Sequence, residues 1–146
     1  MRLELLGSSV EVPDDWELLE TAAVEPADGN AFRASAVLSA EPLGDVDFST
    51  WQDSADAAAA KVLTDFRLLD REHVTIAATL VHAGHPGGRR LAHHLAPTGH
   101  ALAMEQWFTV VDSVGWTLTL TVDAPRYDLL ADRFTDIAAS WRLPEA

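Results

Sequence analysis

The chain has 146 residues, 48% of them hydrophobic, and a net charge of −13. That is enough for one domain, residues 1–146, with a core of its own, and it excludes disorder. There is no cysteine, which excludes disulfides, zinc–thiolate centres and thiol catalysis and suits a reducing compartment.

The charge is uneven. Residues 1–72 hold 16 acids and 5 bases, whereas residues 73–146 hold 7 acids and 5 bases. No basic patch is available to displace phosphate counterions, so neither nucleic acid nor an anionic membrane is an expected partner. Met1-Arg2-Leu3-Glu4-Leu5-Leu6 is too short and too acidic for a signal peptide, and no apolar run approaches a membrane span. The expected location is the cytoplasm. Arginine outnumbers lysine nine to one, a bias of GC-rich coding rather than of function.

Residues 8–12 alternate and predict a strand with Val10 and Val12 inward. Pro13-Asp14-Asp15 predicts a turn, because proline presets one dihedral and aspartate bonds back to its own backbone. Trp16 to Glu20 is extended, with Trp16 expected to plug one end of the core. Ala22 to Asn30 reads as a loop or hairpin tip. Ala31 to Glu41 alternates, with Ala34, Ala36, Leu38 and Ala40 on one face.

Asp47 caps a helix predicted over residues 48–66. Its apolar stripe is Trp51, Ala55, Ala58, Val62 and Phe66, with Gln52, Asp53, Asp56 and Lys61 mostly off it. Leu68 to His82 is extended again. Gly84-His85-Pro86-Gly87-Gly88 predicts a tight turn between strands.

Arg89 to Ala96 and Leu102 to Val111 are strands joined by a turn at Pro97-Thr98-Gly99. A second turn at Asp112-Ser113-Val114-Gly115 leads into the cleanest half-buried strand, with Trp116, Leu118, Leu120 and Val122 inward. Asp123-Ala124-Pro125 opens a last helix. Its stripe is Tyr127, Leu130, Phe134, Ile137 and Trp141, and Pro144 stops it.

Strands joined by tight turns are antiparallel, and amphipathic helices need an apolar sheet face. The expected fold class is α+β: a strongly twisted antiparallel sheet with helices packed on it. The layout resembles the PsbP-like superfamily, which includes PsbP, the yeast Mog protein, actinobacterial LpqN-type lipoproteins and Eag-type chaperones. Four stretches carry the resemblance: Val10-Glu11-Val12-Pro13-Asp14-Asp15-Trp16; Gly84 to Leu91; the hairpin strands through Trp107 and Trp116; and Ala124-Pro125-Arg126-Tyr127-Asp128 with Phe134, Ile137 and Ser140-Trp141. The resemblance implies a non-catalytic binding or adaptor protein with no shared active site. Neither a leader nor an acylated cysteine is expected, which sets this chain apart from the lipoprotein members.

Histidine is the residue type that invites a site. His82 and His85 flank the glycine-rich turn, His93 and His94 are adjacent, and His100 follows. Imidazole suits zinc, but adjacent strand residues face opposite ways, so His93 and His94 do not share an ion. His94 and His100 are placed to meet across their hairpin. The weak metal candidates are therefore His82, His85, His94 and His100, and the main expectation is no metal and no cofactor. Asp14-Asp15 reads as turn chemistry, and the glycine turn matches no phosphate-binding fingerprint. No Gly-x-Ser-x-Gly elbow exists, so no enzyme is expected.

Trp107 shares a face with Glu105 and Thr109, whereas Met104, Phe108 and Val110 share the other. Either Trp107 is covered or it belongs to a contact patch, with Arg90 expected nearby across the hairpin. The expected partner-binding residues are Arg89, Arg90, His94 and Trp107. The overall expectation is a protein-binding module of the adaptor or chaperone kind, with an apolar patch on the outer sheet face or a homodimer that hides one. The alternatives are a small-ligand or metal site at residues 82–100 and an enzyme with an unforeseen site.

Overall fold

The computed structural model describes residues 1–73 and 87–144. Two strands at the front, β1 (Arg2–Leu5) and β2 (Ser8–Glu11), form a separate antiparallel hairpin. Both residues of its turn, Leu6 and Gly7, have positive φ, the geometry that matches the twist of a two-residue hairpin. Sequence reading missed β1: Arg2-Leu3-Glu4-Leu5 does alternate, but over only four residues.

A seven-stranded antiparallel sheet follows. Its strands are β3 (Glu17–Leu19), β4 (Ala22–Val24), β5 (Ser35–Pro42), β6 (Thr64–His73), β7 (Gly87–Leu95), β8 (Ala101–Val111) and β9 (Val114–Asp123), in the spatial order β3-β4-β5-β9-β8-β7-β6. The stretch read as a loop from residue 22 thus begins with a short strand. Helix α1 (Phe48–Val62) links β5 to β6. It carries the chain past β9, β8 and β7 to the far edge. A 3-10 turn (Ala124–Arg126) leads into helix α2 (Tyr127–Ala139). The α+β class and the antiparallel sheet are as expected.

The sheet has two unlike faces. Ala36 and Leu38 of β5, Ala103 and Trp107 of β8, and Leu118, Leu120 and Val122 of β9 line the main core. Leu130, Phe134 and Ile137 of α2, with Trp141, close it. The front hairpin seals the end: Ser9 and Arg142 exchange backbone hydrogen bonds at 2.8 Å, and the Trp141 indole donates to Ser8 Oγ at 2.9 Å. Trp16 is buried in the same core, the plug role expected of it. The α2 stripe Leu130, Phe134, Ile137 and Trp141 is buried as predicted, and Tyr127 is half-buried.

The opposite face is covered by α1 only in part. Asp47 caps the helix by accepting from the Thr50 N–H at 2.7 Å. The helix stops at Val62, because Leu63 is extended and Asp65 turns left-handed at φ 52°. Residues 64–73 then pair with β7 instead of continuing the helix. The predicted stripe holds only at Trp51. Ala55 is half-buried, and Ala58 and Val62 are exposed. The second deeply buried residue is Gln52, which the pattern placed off the stripe.

Trp51 anchors α1. Its indole N–H donates to Glu41 Oε1 at 2.5 Å, and its ring meets Phe108 edge-on at 5.7 Å. A Cβ at Gly115 would lie 2.7 Å from the Trp51 ring. Gly115 was read as a turn residue. It belongs to β9 and is glycine because the indole occupies the space of a side chain. The turn itself is Asp112-Ser113, both at positive φ.

Candidate functional site: a buried ion network, a polar cavity and an apolar edge

Register decides where the expected partner-binding residues go. Arg89 lies opposite Trp107 and Arg90 opposite Gln106, so Arg89 and Arg90 face opposite sides of the sheet. Arg89, not Arg90, sits over the Trp107 ring, 5.9 Å from its centroid. Trp107 is 8% exposed and Arg90 3%. Neither presents a contact surface in this chain, because the main core encloses Trp107 and α1 packs over Arg90. Trp107 is therefore the covered tryptophan of the two readings open to it.

On the core face Arg89 Nη2 donates to Glu105 Oε2 at 2.5 Å, and the Tyr127 hydroxyl donates to the same oxygen. Asp70 and Glu72 flank Arg89 Nη1 at 3.4 Å each. Glu105 is only 2% exposed. Burial and the Glu105 carboxylate push the Tyr127 hydroxyl up to about 12. Raising its pKa keeps the phenol a donor.

On the other face Arg90 donates to Gln106 Oε1 and to Asp56 of α1, and its guanidinium lies 4.7 Å from the Phe108 centroid. Gln106 passes the chain on by donating to Thr119 at 2.9 Å. Arg71 Nη1 donates to Asp53 at 2.9 Å and Asp56 at 2.8 Å. Burial lowers the pKa of Arg90, and Asp56 opposes that. These bonds hold α1 to the β6–β7 hairpin. The signal for them in the sequence was weak: Glu105 is an acid within an apolar run, and Asp56 fell off the predicted stripe.

Among the described residues the histidines do not gather into a metal-holding group. His82 and His85 lie outside the described residues. His93 is half-buried and pairs in register with Ala103. His94 lies opposite Leu102, and its Nδ1 is buried with no hydrogen-bond partner. His100 Nδ1 is bonded to the Thr98 hydroxyl at 2.7 Å, and its ring packs on Phe32. Among the described residues no three His, Asp or Glu side chains are grouped to hold a metal.

A cavity of about 200 Å³ opens between the start of α1 and the ends of β6 and β7. Phe48, Ser49, Gln52, Arg71, His73 and Arg89 contribute to its lining. Gln52 is 3% exposed, and its amide nitrogen has no partner.

The exposed apolar side chains lie elsewhere. Strand β6 forms one edge of the sheet, and nine of its ten residues are exposed. It exposes Leu68 by 44% and Leu69 by 50%, and Val62 just before it is 79% exposed. Two bulges interrupt its pairing with β7, between Thr64 and Arg67 and between Leu68 and Asp70. Bulges and charges on an edge strand discourage indiscriminate strand addition. The centre of the outer face, by contrast, carries half-buried Thr117, Thr119 and Thr121. The large exposed apolar side chains on this side thus lie at the β6 edge and not at the centre of the outer face, where a patch was expected. The opposite edge, β3, exposes Leu18 and Leu19 over only three residues.

No protein-family model and no curated protein matches the chain. Solved structures do. A Pseudomonas aeruginosa protein of unknown function, PA94, superposes with a TM-score of 0.72 at 22% identity, covering 100% of this chain and 97% of that one. LpqN of Mycobacterium tuberculosis, described as involved in cell envelope biogenesis, gives 0.71 at 20% identity, covering 94% and 83%. The cyanobacterial PsbP of Synechocystis gives 0.62 at 12% identity, covering 97% and 90%. Identities this low establish a shared fold and nothing of shared chemistry.

Proposed function

We propose that this chain, which has the PsbP-like fold, is a non-enzymatic protein-binding module whose contact surface is the β6 edge together with the C-terminal half of α1. The observation that carries the reading is the exposure of Val62, Leu68 and Leu69 on consecutive elements. Register places Leu68 on the same face as Ala92, the side of the sheet that α1 covers. Large apolar side chains grouped this way on a chain of net charge −13 are held apart from copies of themselves by charge, yet remain open to a partner. The acidic first half, which includes α1 and nearly all of β6, favours a partner with a basic rim around an apolar centre. The bulged, charged edge favours side-chain docking over strand addition.

The compartment in this reading is the cytoplasm, which a cysteine-free chain suits. Among the described residues no helix is long and apolar enough to cross a membrane. Neither Thr98–His100 nor Arg89–Glu105–Tyr127 pairs an activated nucleophile with a base: the first is a turn contact, and the second centres on the buried Glu105 carboxylate.

The test is comparative capture from extracts of the source cell. The unaltered chain, a Leu68→Glu/Leu69→Glu variant and a Leu18→Glu/Leu19→Glu variant serve as baits. A partner retained by the first and third and lost by the second supports the reading. Equal retention by all three removes it. A homodimer through the same edge would appear instead as a concentration-dependent mass in sedimentation, abolished by the β6 variant.

A further inference from the structure

We propose that the cavity between the first turn of α1 and the ends of β6 and β7 binds a small organic carboxylate of roughly benzoate size. The inference is independent of the protein-binding surface. It begins with Gln52, which is 3% exposed, lines the cavity, and has an amide nitrogen without a partner. A buried donor left unsatisfied is costly, and native chains keep few of them. A ligand oxygen in the cavity would satisfy it.

The remaining lining is rich in donors. Phe48 and Ser49 stand at the start of a 15-residue helix, where the first N–H groups have no partner within the helix and the dipole is positive. Of this first turn, the Thr50 N–H is already taken by Asp47. Arg71 supplies a guanidinium group, whereas the Arg89 side chain is turned to the core face, where it bonds to Glu105. Arg71 contacts Asp53 and Asp56 through Nη1 alone, and a guanidinium carries five N–H donors in a fork that fits a carboxylate. Glu72 also lines the space, but it lies 3.4 Å from Arg89 Nη1.

Size and shape narrow the class. The cavity holds about 200 Å³, and an apolar cavity of ~150 Å³ is known to take benzene. One ring plus a carboxylate fits the larger space. The Phe48 ring, which lies against Gly88, offers the flat apolar wall. A single guanidinium, neutral donors and one aromatic wall match a carboxylate on a small hydrophobic body better than a bare inorganic anion.

The test uses the full chain, isotope-labelled, titrated with sodium benzoate at constant ionic strength and followed through its backbone amides. Benzyl alcohol, similar in size but uncharged, and inorganic phosphate are the other two arms. The expected result is saturable shifts centred on Ser49, Gln52 and Gly88 with benzoate and none with benzyl alcohol. Gln52→Leu, shown to be folded by its amide dispersion, should weaken benzoate by about tenfold. Three results would overturn the proposal: benzoate shifts that fail to saturate or scatter over the surface, benzyl alcohol binding as well as benzoate, or unchanged affinity in Gln52→Leu. Phosphate competing on equal terms would overturn the carboxylate assignment.

Discussion

Arg89 sits directly opposite Trp107 on the β7–β8 ladder, yet its guanidinium reaches diagonally to Glu105, 2.5 Å away. Glu105 also accepts from the Tyr127 hydroxyl, so one buried carboxylate ties two sheet strands to the start of α2. Removing it would leave Arg89 beside the core without its main partner. Glu105→Ala is expected to cost about 3 kcal/mol. Glu105→Gln, which keeps an acceptor of the same size, should cost about half that. Urea denaturation measures both.

Tyr127 reports on the same network, and it is the chain's single tyrosine. Its hydroxyl is pushed up to about 12 in the folded chain by burial and by Glu105, against about 10 in an unfolded one. A raised pKa favours the protonated form in the native state. The stabilisation is therefore present in full below pH about 10 and is lost as the pH climbs from 10 towards 12. Absorbance titration of the phenolate should give a midpoint near 12, moving down in Glu105→Gln. A midpoint already near 10 in the unaltered chain would remove Glu105 from contact with the hydroxyl.

At the same end of α2, one residue before Tyr127, Arg126 grips Glu25 with two hydrogen bonds, 2.6 and 3.2 Å long. Glu25 also accepts from the Ala34 N–H at 2.8 Å. Burial alone would raise the Glu25 pKa, but the bonds from Arg126 and Ala34 outweigh it, and it lies below the ordinary value of 4.5. A lowered carboxyl pKa stabilises the fold above 4.5, and that stability is lost as the pH falls through the native value. Arg126→Gln should lose more stability at pH 7 than at pH 3 relative to the unaltered chain. Equal losses at both would break the link to Glu25 ionisation.

Gly115 and Trp51 form a size match across the second face. A Cβ at Gly115 would stand 2.7 Å from the indole, so Gly115→Ala forces α1 off its seat and should cost about 1–3 kcal/mol. Trp51→Leu pays its own cavity cost, but it should make a second substitution at Gly115 nearly neutral. A double-mutant cycle with no coupling would contradict the match.

The strands with strict alternation were legible in the sequence. Trp116, Leu118, Leu120 and Val122 face the core as read, because a period of two leaves one choice of buried face. The α2 stripe was legible for the same reason, with a period near 3.6 and large side chains on it. α1 was not. Its run of alanines forms a helix readily but specifies no face, so a single bulky anchor, Trp51, decided how the helix sits. The polar networks were hidden because they depend on register: a shift of one residue exchanged Arg89 for Arg90 beside Trp107. The exposed edge was hidden too, since the place of β6 in the sheet is set by a long crossover and by bulges, which no local pattern encodes.

The most direct test of the binding reading is the capture of a partner by the Leu68→Glu/Leu69→Glu chain compared with the unaltered one, after matching their stability. Both leucines are exposed, so denaturation midpoints should agree within about 0.5 kcal/mol. The account predicts that the β6 variant keeps its fold and loses the partner, whereas Leu18→Glu/Leu19→Glu on the β3 edge keeps both. A β6 variant that holds the partner as firmly as the unaltered chain would contradict it.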